Sequence, residues 1–261
     1  MLCFVVNSTI KVVAMGVILF AMLPGCQSAP SGAEGPPRSN HFIAGLSVQK
    51  RPIECHVLGH GPDVVMIVGT IHGDEAAGTA LVRRLSDHLL IHSHRLAGRQ
   101  VVLVPVANPD GMLKSTRGNA NGVDLNRNFP AANRTNNEQF GWSGLSEPES
   151  QALAQLMDIY QPDRIVVMHQ PLGCIDYDGP AEKLARRMGD LCNLPVKKLG
   201  TRPGSMGAFV GGDLGVPIIT FELPRAADKD SEETLWEKYG NALMAAVVFP
   251  DEVTAALVMK K

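Results

Sequence analysis

The chain has 261 residues, with 24 Lys and Arg against 26 Asp and Glu, a formal charge of −2 and 45% hydrophobic residues. That length holds one large domain or two small ones with ample core. The near-neutral balance gives no hint of nucleic-acid binding, which would favour a basic surface.

Residues 1–25 carry one charge, Lys11, followed by an apolar run over 12–23 that is too short for a comfortable membrane span of ~20 residues. A positive residue, a short apolar core and small residues before a cut site describe a secretory signal. Leu23-Pro24-Gly25-Cys26 closes the run and resembles the bacterial lipobox, in which the cysteine thiol is lipidated and becomes the new N-terminus. The expectation is a signal peptide over 1–25, Cys26 as the lipidation site, and an exported protein anchored on the periplasmic side by lipid alone. Gln27, rather than Asp, favours the outer membrane over the inner. Residues 26–40 are rich in Pro, Gly and Ser and read as a flexible tether, with the folded domain over 41–261. Cys55, Cys174 and Cys192 remain, none at CxxC spacing, so neither a zinc ribbon nor a redox pair is indicated. Export permits one disulfide among them, and three buried thiols fit equally.

Beyond the tether, the runs at 64–68 (VVMIV), 101–106 (VVLVPV), 165–168 (IVVM) and 218–221 (IITF) are short and nearly continuous in apolar residues. Such runs suit strands buried on both faces of a parallel sheet. Helical spacing of apolar residues appears at 75–90, 149–160, 181–191 and 235–248, with Ser146 and Glu149 forming a capping box for the second of these. The fold class is therefore α/β: a mixed, mainly parallel central sheet with helices on both faces. Ligands of open α/β sheets sit beyond the carboxyl ends of the strands.

Four segments lie there. Gly69-Thr70-Ile71-His72-Gly73-Asp74-Glu75 follows the first run and sets His72 and Glu75 three residues apart. Imidazole nitrogen and carboxylate oxygen both suit zinc, although alone the pair fits a helix N-terminus complementing its dipole just as well. His169 ends the third run. A strand-end histidine is often only hydrogen-bonded, but a catalytic zinc takes three protein ligands and one open position, and this residue completes a two-His, one-Glu set. Glu222 follows the fourth run, where a carboxylate is costly without a partner or a task. Burial there raises its pKa towards that of a general base; a structural pair with Arg225 is the alternative. The stretch 108–130 is dense in turn formers and amides, as a polar surface loop would be, yet it holds Arg117, Asp124 and Arg127.

HGDE at 72–75, NPDG at 108–111, GVDLNRNFP at 122–130, His169 and Glu222, in this order, resemble the zinc carboxypeptidases of the carboxypeptidase A superfamily. The likeness spans about residues 41–249. It is nearer to the branch of bacterial murein peptide amidases, through RGNANGVDLNRNFP (117–130), SEPESQAL (146–153), VMHQPLGCIDYDGPA (167–181) and PGSMGAF (203–209). The resemblance implies one zinc ion on His72, Glu75 and His169. It implies Asp124 orienting His72, Arg117 polarising the scissile carbonyl, Asn126 and Arg127 holding a substrate carboxylate, and Glu222 as general acid and base. It further implies hydrolysis of the γ-D-glutamyl–meso-diaminopimelate amide of murein peptides. In two places the sequence departs from the digestive enzymes: Arg117 and Asn126 stand closer together, and residues 201–209 contain no tyrosine. Asp213 is a candidate contact for a cationic amine, or a plain loop residue. Two rival readings are a deacylase of N-acyl amino acids, like aspartoacylase or succinylglutamate desuccinylase, and a non-catalytic cell-wall-binding lipoprotein.

Overall fold

The computed structural model describes residues 38–251. The expected signal peptide, Cys26 and residues 27–37 lie outside that range. Eight strands form one sheet in the order β1-β2-β4-β3-β5-β8-β6-β7. β3 (Asp63–Val68), β4 (Arg99–Val104), β5 (Arg164–His169) and β8 (Ile218–Pro224) are the expected apolar runs, and they pair in parallel at the centre. The sequence reading had not named four more strands: β1 (Ser39–Leu46), β2 (Pro52–Gly59), β6 (Leu172–Asp178) and the two-residue β7 (Val196–Lys197). β1, β2 and β6 pair antiparallel, which makes the sheet mixed. Strand β1 begins at Ser39, opposite Leu58, so the last two residues assigned to the tether belong to the sheet.

Side chains alternate across the strands. Val65 and Ile67 of β3 enter one apolar cluster with α1 (Ala77–Ile91), α4 (Glu182–Cys192) and α5 (Glu232–Val248). Val64, Met66 and Val68 enter another with α3 (Pro148–Tyr160). Helices thus cover both faces, as expected. By the same alternation, His169 and Glu222 share the α3 face with Ile165, Val167 and Ile218. Buried Arg164 secures the end of α5, its Nε and Nη2 donating to the carbonyls of Ala246 and Val247 at 2.6 and 2.9 Å while Nη1 bridges to Asp63.

The expected capping box does not form. The N-cap of α3 is Glu147, with Pro148 at the first turn and no side-chain cap. Ser146 Oγ accepts from Asn128 Nδ2 instead and donates to Glu147 Oε1. Glu149 accepts from Val48 N and from Asn119 Nδ2, at 3.1 and 2.9 Å. Long-range partners for both side chains outweigh the local pairing. Cys55 and Cys174 are buried unpaired thiols and Cys192 is a half-buried one; burial pushes the Cys55 thiol up to about 12.

Among the described residues, no helix is long and apolar enough to cross a membrane.

Candidate active site

His72 and Glu75 lie in the turn that joins β3 to α1, closed by Glu75 N donating to the His72 carbonyl at 3.2 Å. The helix starts only at Ala77, whose N–H donates to Gln170 Oε1. Gly73 lets this turn lie against the next one. A Cβ there would stand 1.9 Å from the Gly111 carbonyl carbon.

His169 Nδ1 stands 3.2 Å from His72 Nδ1 and 2.9 Å from Glu75 Oε2, and His72 Nδ1 stands 3.0 Å from the same oxygen. All three side chains are buried. Zinc bonds of ~2.0–2.1 Å place tetrahedral ligands about 3.3 Å apart, so these three atoms fit one ion without rearrangement. Their types, two imidazole nitrogens and a carboxylate oxygen, suit zinc as well.

Around them, His72 Nε2 lies 3.0 Å from Asp124 Oδ1. Arg117 joins two of the acids, Nε donating to Asp124 Oδ2 at 2.9 Å and Nη1 to Glu75 Oε1 at 3.0 Å. Gln170 N donates to Glu75 Oε2 at 3.0 Å. Burial works against the charge on Glu75 and Asp124, but hydrogen bonds and attraction from the surrounding histidines hold both well below the usual carboxylate range. Burial likewise opposes protonation of His72, and its bonds to Asp124 and Glu75 override that and raise its pKa.

Glu222 takes no part in this cluster of bonds. It faces His169 across the β5–β8 pair and accepts from Leu172 N at 3.3 Å. It is 8% exposed, and burial raises its pKa, with His169 and the Leu172 N–H pulling the other way. Arg225, the structural alternative partner, makes no ion pair with it among the described residues.

The stretch 108–130 is only partly a surface loop: residues 113–117 and 121–122 are exposed, and much of the rest is built into the domain. Asn108 caps the short helix α2 (Pro109–Lys114), its Oδ1 accepting from Gly111 N at 2.9 Å, and Asp110, Leu125, Asn128 and Phe129 are fully buried. Asn126 is engaged on both sides: Oδ1 accepts from Met206 N at 2.9 Å, and Nδ2 stands 3.2 Å from His169 Nε2. Arg127 donates to the Asn126 carbonyl, with its guanidinium carbon 6.0 Å from the Phe140 ring. Burial, together with the charges of Arg117 and Arg202, lowers the pKa of Arg127. Asp213 Oδ2 accepts from Ala132 N at 2.7 Å.

The sequence reading missed several residues here. Arg202 adds charge beside Arg127. Gln170 braces Glu75. Arg134 ties the stretch down through the carbonyls of Arg127, Phe140, Gly141 and Ser143. Asp176 and Asp178 are buried on β6, and burial raises the pKa of each. Only the last pair left a trace in sequence, as acids two apart in a strand that pairs with the Glu222 strand.

Comparison with known proteins decides the family. The family description "Zinc carboxypeptidase" matches residues 32–171, which is more than half of the chain. This chain belongs to the zinc carboxypeptidase family. Murein peptide amidase A of Escherichia coli K12 is 38% identical over 190 residues, 66% of this chain and 76% of the relative. That of Vibrio campbellii is 33% identical over 181 residues, 61% of this chain and 68% of the relative. The crystal structure of the murein-tripeptide amidase of Escherichia coli O157 superposes with a TM-score of 0.63 at 31% identity, covering 85% of this chain and 96% of the other. A carboxypeptidase A from Helicoverpa armigera, at TM-score 0.66 and 18% identity, shares the fold. As a zinc carboxypeptidase, the chain is a hydrolase, a metallopeptidase or amidase.

Proposed function

We propose that this zinc carboxypeptidase hydrolyses murein peptides at the γ-D-glutamyl–meso-diaminopimelate amide, with His72, Glu75 and His169 as the metal ligands. The convergence of His72 Nδ1, His169 Nδ1 and Glu75 Oε2 within 3.2 Å carries the site assignment. Similarity to murein peptide amidase A of Escherichia coli and of Vibrio campbellii, at 38% and 33% identity, supports murein peptides as the substrate class, and the particular amide rests on the likeness of the segments at 117–130, 146–153, 167–181 and 203–209.

When bound, zinc supplies Lewis acidity towards the scissile carbonyl and brings the pKa of a water towards ~7. Asp124 fixes the His72 ring so that Nδ1 faces Glu75 Oε2 and His169 Nδ1, the atoms that would hold the metal with it, and Gln170 N and Arg117 orient the Glu75 carboxylate. Glu222 is the general base that takes the proton of the attacking water, and it then delivers that proton to the leaving amine. Its burial suits both steps, because a raised pKa brings it nearer the working pH. Arg117 is half-exposed and keeps Nη2 free of partners among the described residues, so it can donate to the developing oxyanion. Arg127, with Arg202 beside it, supplies the fork that a substrate carboxylate accepts from. Asn126 then acts mainly by holding Met206 in place through Oδ1. The leader and Cys26 fit a lipid-anchored protein exported to the compartment where murein lies, at the outer membrane.

The deciding experiment incubates purified protein with muropeptides, with and without chelator, and reads the products by mass spectrometry. Loss of the diaminopimelate-containing fragment, abolished by chelator and restored by zinc, is the expected result. Turnover of N-acyl amino acids with intact muropeptides would overturn the substrate assignment in favour of a deacylase, and no turnover of either would favour a binding protein.

A further inference from the structure

A second group of metal-ligating side chains lies on the opposite face of the sheet. His41 on β1 pairs directly with His56 on β2, and Glu54 stands two residues before His56 on the same face. Ile53, Cys55 and Val57 enter the cluster that contains α3, so Glu54 and His56 project on the α1 side, away from His72, Glu75 and His169. The rings of His41 and His56 meet edge to face with centroids 4.3 Å apart, and His41 Nε2 lies 4.0 Å from Glu54 Oε2. One ligand atom from each of the three falls within 4.8 Å of the others.

From these positions we propose that His41, Glu54 and His56 form a second, peripheral site for a divalent transition metal. Two imidazoles and one carboxylate suit zinc, nickel or copper, and they disfavour magnesium and calcium, which take oxygen ligands. One ring is already oriented. His56 Nδ1 is 3.2 Å from Ser86 Oγ on α1, and Ser86 is buried, so the bond turns Nε2 outward as the coordinating nitrogen. Burial and the neighbouring His41 ring lower the pKa of His56, with Glu54 opposing, and a neutral imidazole is the form that binds metal. The ligand atoms must close from as much as 4.8 Å to the about 3.3 Å edge of a zinc tetrahedron. His41 and Glu54 are free to make that movement, with side chains 58% and 46% exposed. An ion held there would cross-link β1 to β2 and leave a position open for water or a further ligand. Among the described residues β1 is an edge strand, with β2 as its one neighbour, so this cross-link would resist fraying of the sheet edge.

The bland alternative is an ion pair and a ring contact with no affinity for metal, and titration of the purified protein with Zn²⁺ and Co²⁺ separates the two. In calorimetry, wild-type protein should take up a second equivalent of zinc, weaker than the first. The second equivalent of Co²⁺ should give visible d–d absorption of its own. His56→Ala and His41→Ala should each lose that second equivalent while keeping the first and the full rate of peptide hydrolysis, which also shows that they fold. Glu54→Gln, which preserves shape, should weaken it, and Ser86→Ala should weaken it by about tenfold or more. Absence of a second equivalent in wild type at millimolar zinc, or its persistence in a His41→Ala/His56→Ala double variant, overturns the proposal. Because the readout is binding at residues outside the catalytic cluster, failure here leaves the hydrolytic assignment untouched, and loss of hydrolysis leaves this one untouched.

Discussion

Glu222 stands directly opposite His169 in the parallel pairing of β8 with β5, so the buried acid and one of the two clustered histidines share a face and a level of the sheet. The carboxylate is close enough to feel the histidine's charge, yet it stays outside the hydrogen-bonded cluster of Glu75, His72 and Asp124. That separation suits a group that must exchange a proton rather than hold an ion.

Glu222→Gln should lower kcat by about 10²–10⁴ while zinc content stays at the wild-type level. Its pH dependence follows from the raised pKa. The base must be ionised, so activity should fall as pH drops through a value above the ordinary carboxylate range. The sign for stability is opposite to that of a salt-bridged acid. A folded-state pKa above the unfolded one means that ionisation costs stability, a cost absent at low pH and fully present once pH exceeds the folded pKa. Metal-free Glu222→Gln should therefore melt no lower than wild type at neutral pH, and a clearly lower Tm would count against the burial argument.

Asp124→Asn tests the bond to His72 Nε2. The amide keeps the shape but loses the charge that steadies the ring. Zinc affinity should drop about 10–100-fold, as measured by competition with a chromophoric chelator. Unchanged affinity would reject an orienting role.

Arg117 bridges Asp124 and Glu75 and is proposed to donate to the substrate oxyanion as well, so Arg117→Lys should fail in two ways. A single ammonium cannot reproduce both bonds of the fork. We expect kcat/KM to fall at saturating zinc and zinc affinity to fall as well. A change in affinity alone would confine Arg117 to holding the site together.

Gly73→Ala introduces a methyl 1.9 Å from the Gly111 carbonyl carbon. Backbone cannot yield as a side chain would, and overpacking of this kind costs about 1–3 kcal/mol. Denaturant melts should show that loss together with weaker zinc binding, because the turn carries both His72 and Glu75. Wild-type stability in this variant would mean that the two turns are free to part.

The central sheet was legible because β3, β4, β5 and β8 are buried on both faces and therefore read as continuous apolar runs. β2 escaped notice for the opposite reason. It alternates inward Ile53, Cys55 and Val57 with outward Glu54 and His56, and the outward polar residues interrupt any run. The four acidic and imidazole groups of the site were visible because each follows or ends an apolar run. What surrounds them was not. Gln170, Arg134 and Arg202 act on backbone atoms or charges brought near only by the fold, and nothing in their neighbours' identities marks them. Asn126 shows the limit from the other side. A motif pointed to the residue, but only coordinates show that its amide is occupied by Met206 N and His169.

The pairing of β5 with β8 also decides whether the acid and the histidine meet at all. Alternation means that a slip of one residue would turn Glu222 towards α1 and bring Leu223 round beside His169. Register between these two strands is thus decisive for the site: any pairing shifted by one residue puts the acid and the histidine on opposite faces.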